Sequence, residues 1–131
     1  MIMYMTHLFT LISTLVLLLV FDGIYFYLFN ELLTNQVKSV QKSPLQLNVL
    51  GAALCYVWIA VGLYYFIIYQ ERSVMDAFFL GVFVYGVYEL TTYAIFKKWK
   101  PQMVAMDTLW GGIMFSAITY ILYNAPRKIF R

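Results

Sequence analysis

Four largely apolar runs, 8–29, 47–69, 76–96 and 103–123, are each long enough to cross the hydrocarbon layer of a membrane as a helix, which takes roughly 20 residues. In that layer no water satisfies an open backbone, so a run of this kind must bond itself internally. A chain of 131 residues that is 63% hydrophobic and 11% charged also carries more apolar surface than one small core can hide. Lipid is the expected partner. The fold expected is all-α: an integral membrane bundle of four transmembrane helices, one multi-pass domain over 1–131.

The stretch before the first run has no Lys or Arg, and no small-residue cleavage site follows it, so that run reads as a retained helix rather than a signal peptide. The connection over 30–47 carries Leu33, Val37 and Val40 at helical spacing among Lys38, Lys42 and polar neighbours, which predicts a short helix in the interface. Ser43, Pro44 and Gln46 then predict an N-cap, a first helical position and a capping-box partner for the second span. The connections over 70–73 and 97–102 are tight, so successive spans are expected to be antiparallel neighbours. The single cysteine, Cys55, lies within the second run and is expected as a buried structural thiol.

Charge does not orient the bundle. Lys38, Lys42, Lys97, Lys98 and Lys100 fall on one side, and Arg72, Arg127, Lys128 and Arg131 on the other, a near balance under the positive-inside rule. Lys97, Lys98, Trp99 and Lys100 are expected to form an interfacial anchor. The net charge of +3 comes from such short clusters at membrane edges, which points away from nucleic acid as a partner.

The informative residues are acids inside the runs. Asp22 lies about 5 Å past the midpoint of the first run, Glu89 about 4.5 Å past that of the third and Asp107 about 9 Å before that of the fourth. Alternating helix direction puts all three in the membrane half that faces the lysine-bearing connections. A carboxyl at such depth costs on the order of 3 kcal/mol and is expected to face the bundle interior. Tyr25 stands one turn beyond Asp22, and Tyr85, Thr92 and Tyr93 share a face with Glu89. Trp110 and Gly111 stand one turn beyond Asp107, and Thr108, Gly112 and Ser116 form a small-residue stripe. The candidate ligand or proton pocket is therefore Asp22, Tyr25, Tyr85, Tyr88, Glu89, Thr92, Asp107 and Trp110. Tyr56 and Trp58 read as packing residues.

No nucleophile elbow, phosphate-binding glycine loop or paired-cysteine site occurs, and His7, the single histidine, sits at the far end of the first run. The sequence thus leans away from an enzyme and implies no particular cofactor. An oxygen-only Mg²⁺ or Ca²⁺ site from the three carboxyls is the metal arrangement that the chemistry allows.

The run over 81–99, GVFVYGVYELTTYAIFKKW, followed by Asp107, Trp110 and Gly111 in DTLWG, resembles the four-helix membrane-protein family known as domain of unknown function 2177. Asp22, Pro44, Tyr56 and Gly62 also fall where that family's pattern would put them. The resemblance covers nearly the whole chain. Where the family usually reads tyrosine, aspartate, leucine, threonine, asparagine, this chain has Tyr88, Glu89, Leu90, Thr91 and Thr92, which keeps the carboxyl on a longer arm. The resemblance implies the four-span topology and groups the polar positions, without implying a reaction. Members occur in bacteria and large DNA viruses, and richness in Tyr, Ile and Lys points toward a viral membrane protein here.

Two functions follow as expectations. One is a small transport or binding protein, with the carboxylate pocket taking a cation, a proton-coupled small molecule or a lipid headgroup, and working as a homo-oligomer by architectural analogy. The other is a structural or assembly protein of a viral or cellular membrane. A membrane-embedded lipid enzyme would need a metal or nucleophile beyond these residues.

Overall fold

The computed structural model describes residues 2–125, with side chains from Thr6 onward. In chain order it has α1 (Ile2–Leu28), α2 (Asn30–Gln41), α3 (Val49–Leu63), a π-helical turn (Tyr64–Ile68) that extends α3, α4 (Val74–Ile95) and α5 (Pro101–Asn124). No strand occurs among the described residues. Thr6–Leu28, Val49–Ile68, Val74–Ile95 and Pro101–Asn124 are each long and apolar enough to cross a membrane. Their outer faces carry large apolar side chains such as Leu8, Ile12, Val16, Phe79, Phe83 and Leu109, as a surface solvated by acyl chains requires. The chain is a multi-pass integral membrane protein in contact with lipid. Arg127, Lys128 and Arg131 lie outside the described residues.

The short helix expected between the first two spans is α2, which starts directly after α1 and ends where Lys42 takes a left-handed conformation at φ 59°. Its one buried residue is polar, Gln36, at 3% exposure. The predicted capping of α3 by Ser43, Pro44 and Gln46 is overturned. The helix begins five residues later, at Val49, with Asn48 as N-cap accepting from Gly51 N–H at 2.9 Å. Gln41 Nε2 donates to the carbonyls of Ser43 and Pro44 at 3.2 and 2.8 Å, which ties that stretch off outside the helix.

On α3 the inward positions Tyr56, Ala60, Leu63 and Ile67 recur at helical spacing and join Leu18 of α1 with Met114, Phe115 and Ile118 of α5 in the core. Cys55 and Trp58 fall on the other face. Cys55 is exposed, which corrects the expectation of a buried thiol, and Trp58 is 83% exposed rather than packed. The π-turn widens the end of α3, and Tyr69 N–H bonds Tyr64 O at 2.7 Å. At this end of the bundle, opposite the lysines, His7 Nδ1 bonds the hydroxyl of Tyr64 and its ring meets Tyr69 at 5.3 Å.

The closest helix pair is α4 with α5. A Cβ on Gly81 would lie 2.1 Å from the carbonyl oxygen of Gly111, so these two backbones touch. Gly111 also accommodates the ring of Tyr85, and Gly112 accommodates Phe78 and Val82. Glycine supplies such close approach where apolar burial gives no drive between helices. Contact is thus centred on Gly111 and Gly112 rather than on the full stripe of Thr108, Gly112 and Ser116; Ser116 spends its hydroxyl on Ile113 O at 2.9 Å.

Candidate functional site

α1 and α5 cross the membrane in opposite directions, and each presents an acid and an aromatic donor three residues apart. Asp22 precedes Tyr25 on α1, and Asp107 precedes Trp110 on α5. Antiparallel packing therefore matches acid to donor twice. Trp110 Nε1 donates to Asp22 Oδ1 at 2.9 Å, and the Tyr25 hydroxyl donates to Asp107 Oδ1. The two donor rings stack between these bonds, with centroids 4.8 Å apart and planes 11° from parallel. The second oxygen of Asp22 accepts from the Tyr56 hydroxyl of α3 at 2.6 Å. Asp22 thus ties three spans together, with both of its oxygens taken.

Glu89 of α4 is set differently. Its side chain is 0% exposed, and its Oε2 accepts from Trp99 Nε1 at 2.7 Å. No hydrogen-bond donor reaches Oε1. The carboxyl of Asp107 is a close neighbour of Glu89 and brings acceptor oxygens rather than a donor. On the facing side of α5, Thr108 Oγ1 is likewise buried without a partner, while its methyl packs 3.6 Å from the Cβ position of Gly86, one turn before Glu89. Buried polar atoms are rarely left unpaired, so Glu89 Oε1, and Thr108 Oγ1 on the residue after Asp107, mark this part of the bundle.

Trp99 lies in the connection between α4 and α5, outside any helix. Gln36 of α2 grips that connection on both sides of it: Gln36 Nε2 donates to Lys98 O at 2.8 Å, and Lys100 N–H donates to Gln36 Oε1 at 3.3 Å. These bonds bring the two lysine-bearing connections together on one membrane face and hold the indole over Glu89. Gln36→Leu removes both while keeping a good helix former. The expected cost of about 0.5–1.5 kcal/mol corresponds to roughly two- to tenfold faster amide exchange at Lys100, read by hydrogen–deuterium exchange in lipid nanodiscs. Unchanged exchange would show that Gln36 does not hold the connection.

Of the residues expected at the pocket, Asp22, Tyr25, Glu89, Asp107 and Trp110 come together. Tyr85 lies against Gly111 and edge-on to Phe115 at 6.1 Å, a packing position next to them. Thr92 is buried but returns its hydroxyl to Tyr88 O at 2.7 Å. Tyr88 is 59% exposed and stands on the outer side of α4. Lys97, Lys98 and Lys100 are exposed at the membrane edge, as an anchor would be, while Trp99 turns its indole N–H inward. Tyr56, Trp99 and Gln36 are the participants that the sequence reading did not place here. Tyr56 had one legible signal, a phenol in a span whose depth matches that of Asp22. The partner of Gln36 is backbone, which leaves no mark in a sequence.

Among the described residues no group of three or more His, Cys, Asp or Glu is placed to hold a metal ion, and both oxygens of Asp22 accept from Tyr56 and Trp110.

A family model described as a predicted membrane protein, DUF2177, matches residues 2–124. No curated protein and no solved structure matches the chain. The match spans α1 through the end of α5, including every member of the carboxyl cluster, and the chain belongs to the DUF2177 family of predicted membrane proteins.

Proposed function

We propose that this protein is a small membrane binding or transport protein that loads and releases one cation, a proton in the simplest case, at the Glu89–Asp107 pair. The observation that carries this reading is the fully buried Glu89, with one oxygen that no donor reaches and the carboxyl of Asp107 as a neighbour. Two acid groups in contact inside a membrane repel unless a positive charge is held between them. Tyr25 and Trp99 supply one hydrogen bond each to the pair, which leaves the inner oxygens for that charge. Asp22 is the contrasting case: two donors saturate it, and its role is to join helices.

Infrared spectroscopy of the lipid-reconstituted protein during a pH titration tests the reading. A carboxyl C=O band distinct from those of the exposed Glu31, Glu71 and Asp76, which appears and disappears with pH, is absent in Glu89→Gln and is retained in Asp22→Asn, is the expected result. A folded protein in which Glu89→Gln removes no titrating carboxyl band would refute it.

A second reading, an assembly protein, has its own support in the saturated Asp22 clasp across α1, α3 and α5. Under it, Glu89→Gln changes detergent stability or oligomeric state and leaves the infrared titration unchanged.

A further inference from the structure

Between α1 and α3 runs a groove of about 350 Å³, walled by Leu15 and Leu19 on one side and by Leu47, Ala52, Ala53 and Tyr56 on the other. That volume falls at the low end of the range for small-molecule sites, and the lining side chains are apolar apart from the hydroxyl of Tyr56. The groove exists because Ala52 and Ala53 are small where neighbouring α3 positions carry Leu, Val or Trp. It is open along the membrane, between two spans, where acyl chains are the solvent. From Val49 to Val57 along α3 it covers nine residues, eight steps or about 12 Å of helix rise, against a leaflet of roughly 15 Å, half the hydrocarbon thickness. The groove therefore follows one leaflet from its interface almost to the midplane.

The end of the groove at Leu47 lies on the lysine face, five residues past Lys42. Among the described residues that face carries Lys38, Lys42, Lys97, Lys98 and Lys100, all exposed, against the single acid Glu31. The opposite face has Arg72 and, in the sequence after the last span, Arg127, Lys128 and Arg131, against Glu71 and Asp76. The five exposed lysines against one acid favour negative headgroups at the end where the groove opens. We propose that the α1–α3 groove is a binding site for one anionic phospholipid, with an acyl chain along Ala52, Ala53 and Tyr56 and its headgroup phosphate at Lys38 and Lys42. The chain would rest on the ring of Tyr56, whose hydroxyl holds Asp22 at 2.6 Å, so a bound lipid buttresses the three-span clasp. The proposal does not depend on a cation at Glu89, and either can fail alone.

The test is native mass spectrometry of the full chain, reconstituted with equal phosphatidylglycerol and phosphatidylcholine and released from detergent. One retained phosphatidylglycerol per chain, in preference to phosphatidylcholine, is the expected wild-type result. Ala53→Phe fills the groove from an exposed position and is expected to abolish retention, with Ala53→Leu as the smaller substitution should Phe disturb folding; Val61→Phe, on α3 outside the groove, is expected to keep it. Lys38→Gln and Lys42→Gln are each expected to lower the phosphatidylglycerol preference about fivefold, the equivalent of about 1 kcal/mol per basic residue. Equal retention of both lipids by the wild type, the behaviour of ordinary boundary lipid, would overturn the proposal. Retention by a folded groove-filled variant at the wild-type level would do the same.

Discussion

Gly81→Ala is expected to destabilise the folded bundle by about 2–3 kcal/mol, the upper part of the range for overpacked sites. The added methyl would sit 2.1 Å from Gly111 O and 2.9 Å from Gly112 Cα. These are backbone atoms of a helix, so no rotamer change relieves the overlap and α4 must move away from α5. That displacement separates Glu89 from Asp107, so the carboxyl pair loosens along with the fold. Gly62→Ala is the matched control: nothing lies within 4 Å of its Cβ position, and no change beyond about 0.5 kcal/mol is expected. Reversible unfolding in mixed micelles measures both. Equal stability of the two variants would show that the α4–α5 backbones do not touch.

Trp110→Ala is expected to cost about 3 kcal/mol, the low end for removing a large aromatic because the ring is only half-buried. Three interactions end together: the stack on Tyr25, the tilted contact with Phe21 at 6.3 Å, and the N–H bond to Asp22. Trp110→Phe separates them by keeping a ring and losing the donor. Side-chain hydrogen bonds between membrane helices are worth about 0.6 kcal/mol on average and less than about 2 at most, so the phenylalanine variant is expected to lose about 1 kcal/mol. A double-mutant cycle with Asp22→Asn assigns that loss to the bond. If Trp110→Phe costs as much as Trp110→Ala, the hydrogen bond rather than ring packing dominates the clasp.

The four spans were legible because an apolar run of membrane length has one stable form in lipid, and the start of α3 differs where two caps competed. Asn48 prevailed over Ser43 because its side chain reaches Gly51 N–H, while the carbonyls after Ser43 were already claimed by Gln41. Asp22, Glu89 and Asp107 were legible as a group through depth, since buried acids must face protein. Their division into a saturated member and a contacting pair was not legible, because it depends on which donors neighbouring helices present. Tyr88 illustrates the limit from the other side: it was expected in the pocket, but adjacent residues on a helix point about 100° apart, and beside the buried Glu89 this one faces outward. Trp99 had the composition of an interfacial anchor, and the bend after α4, fixed by Gln36 from a distant helix, turned it inward.

The account rests on Glu89 and Asp107 meeting inside the bundle. Solid-state NMR of the protein in lipid bilayers, with carbon-13 at the side-chain carboxyls of Asp and Glu and at Tyr Cζ, measures that contact directly. The prediction is a through-space cross-peak between Glu89 Cδ and Asp107 Cγ that vanishes in Glu89→Gln, together with one between Tyr25 Cζ and Asp107 Cγ that persists. Assigned carboxyl resonances for both acids with no cross-peak between them would contradict it.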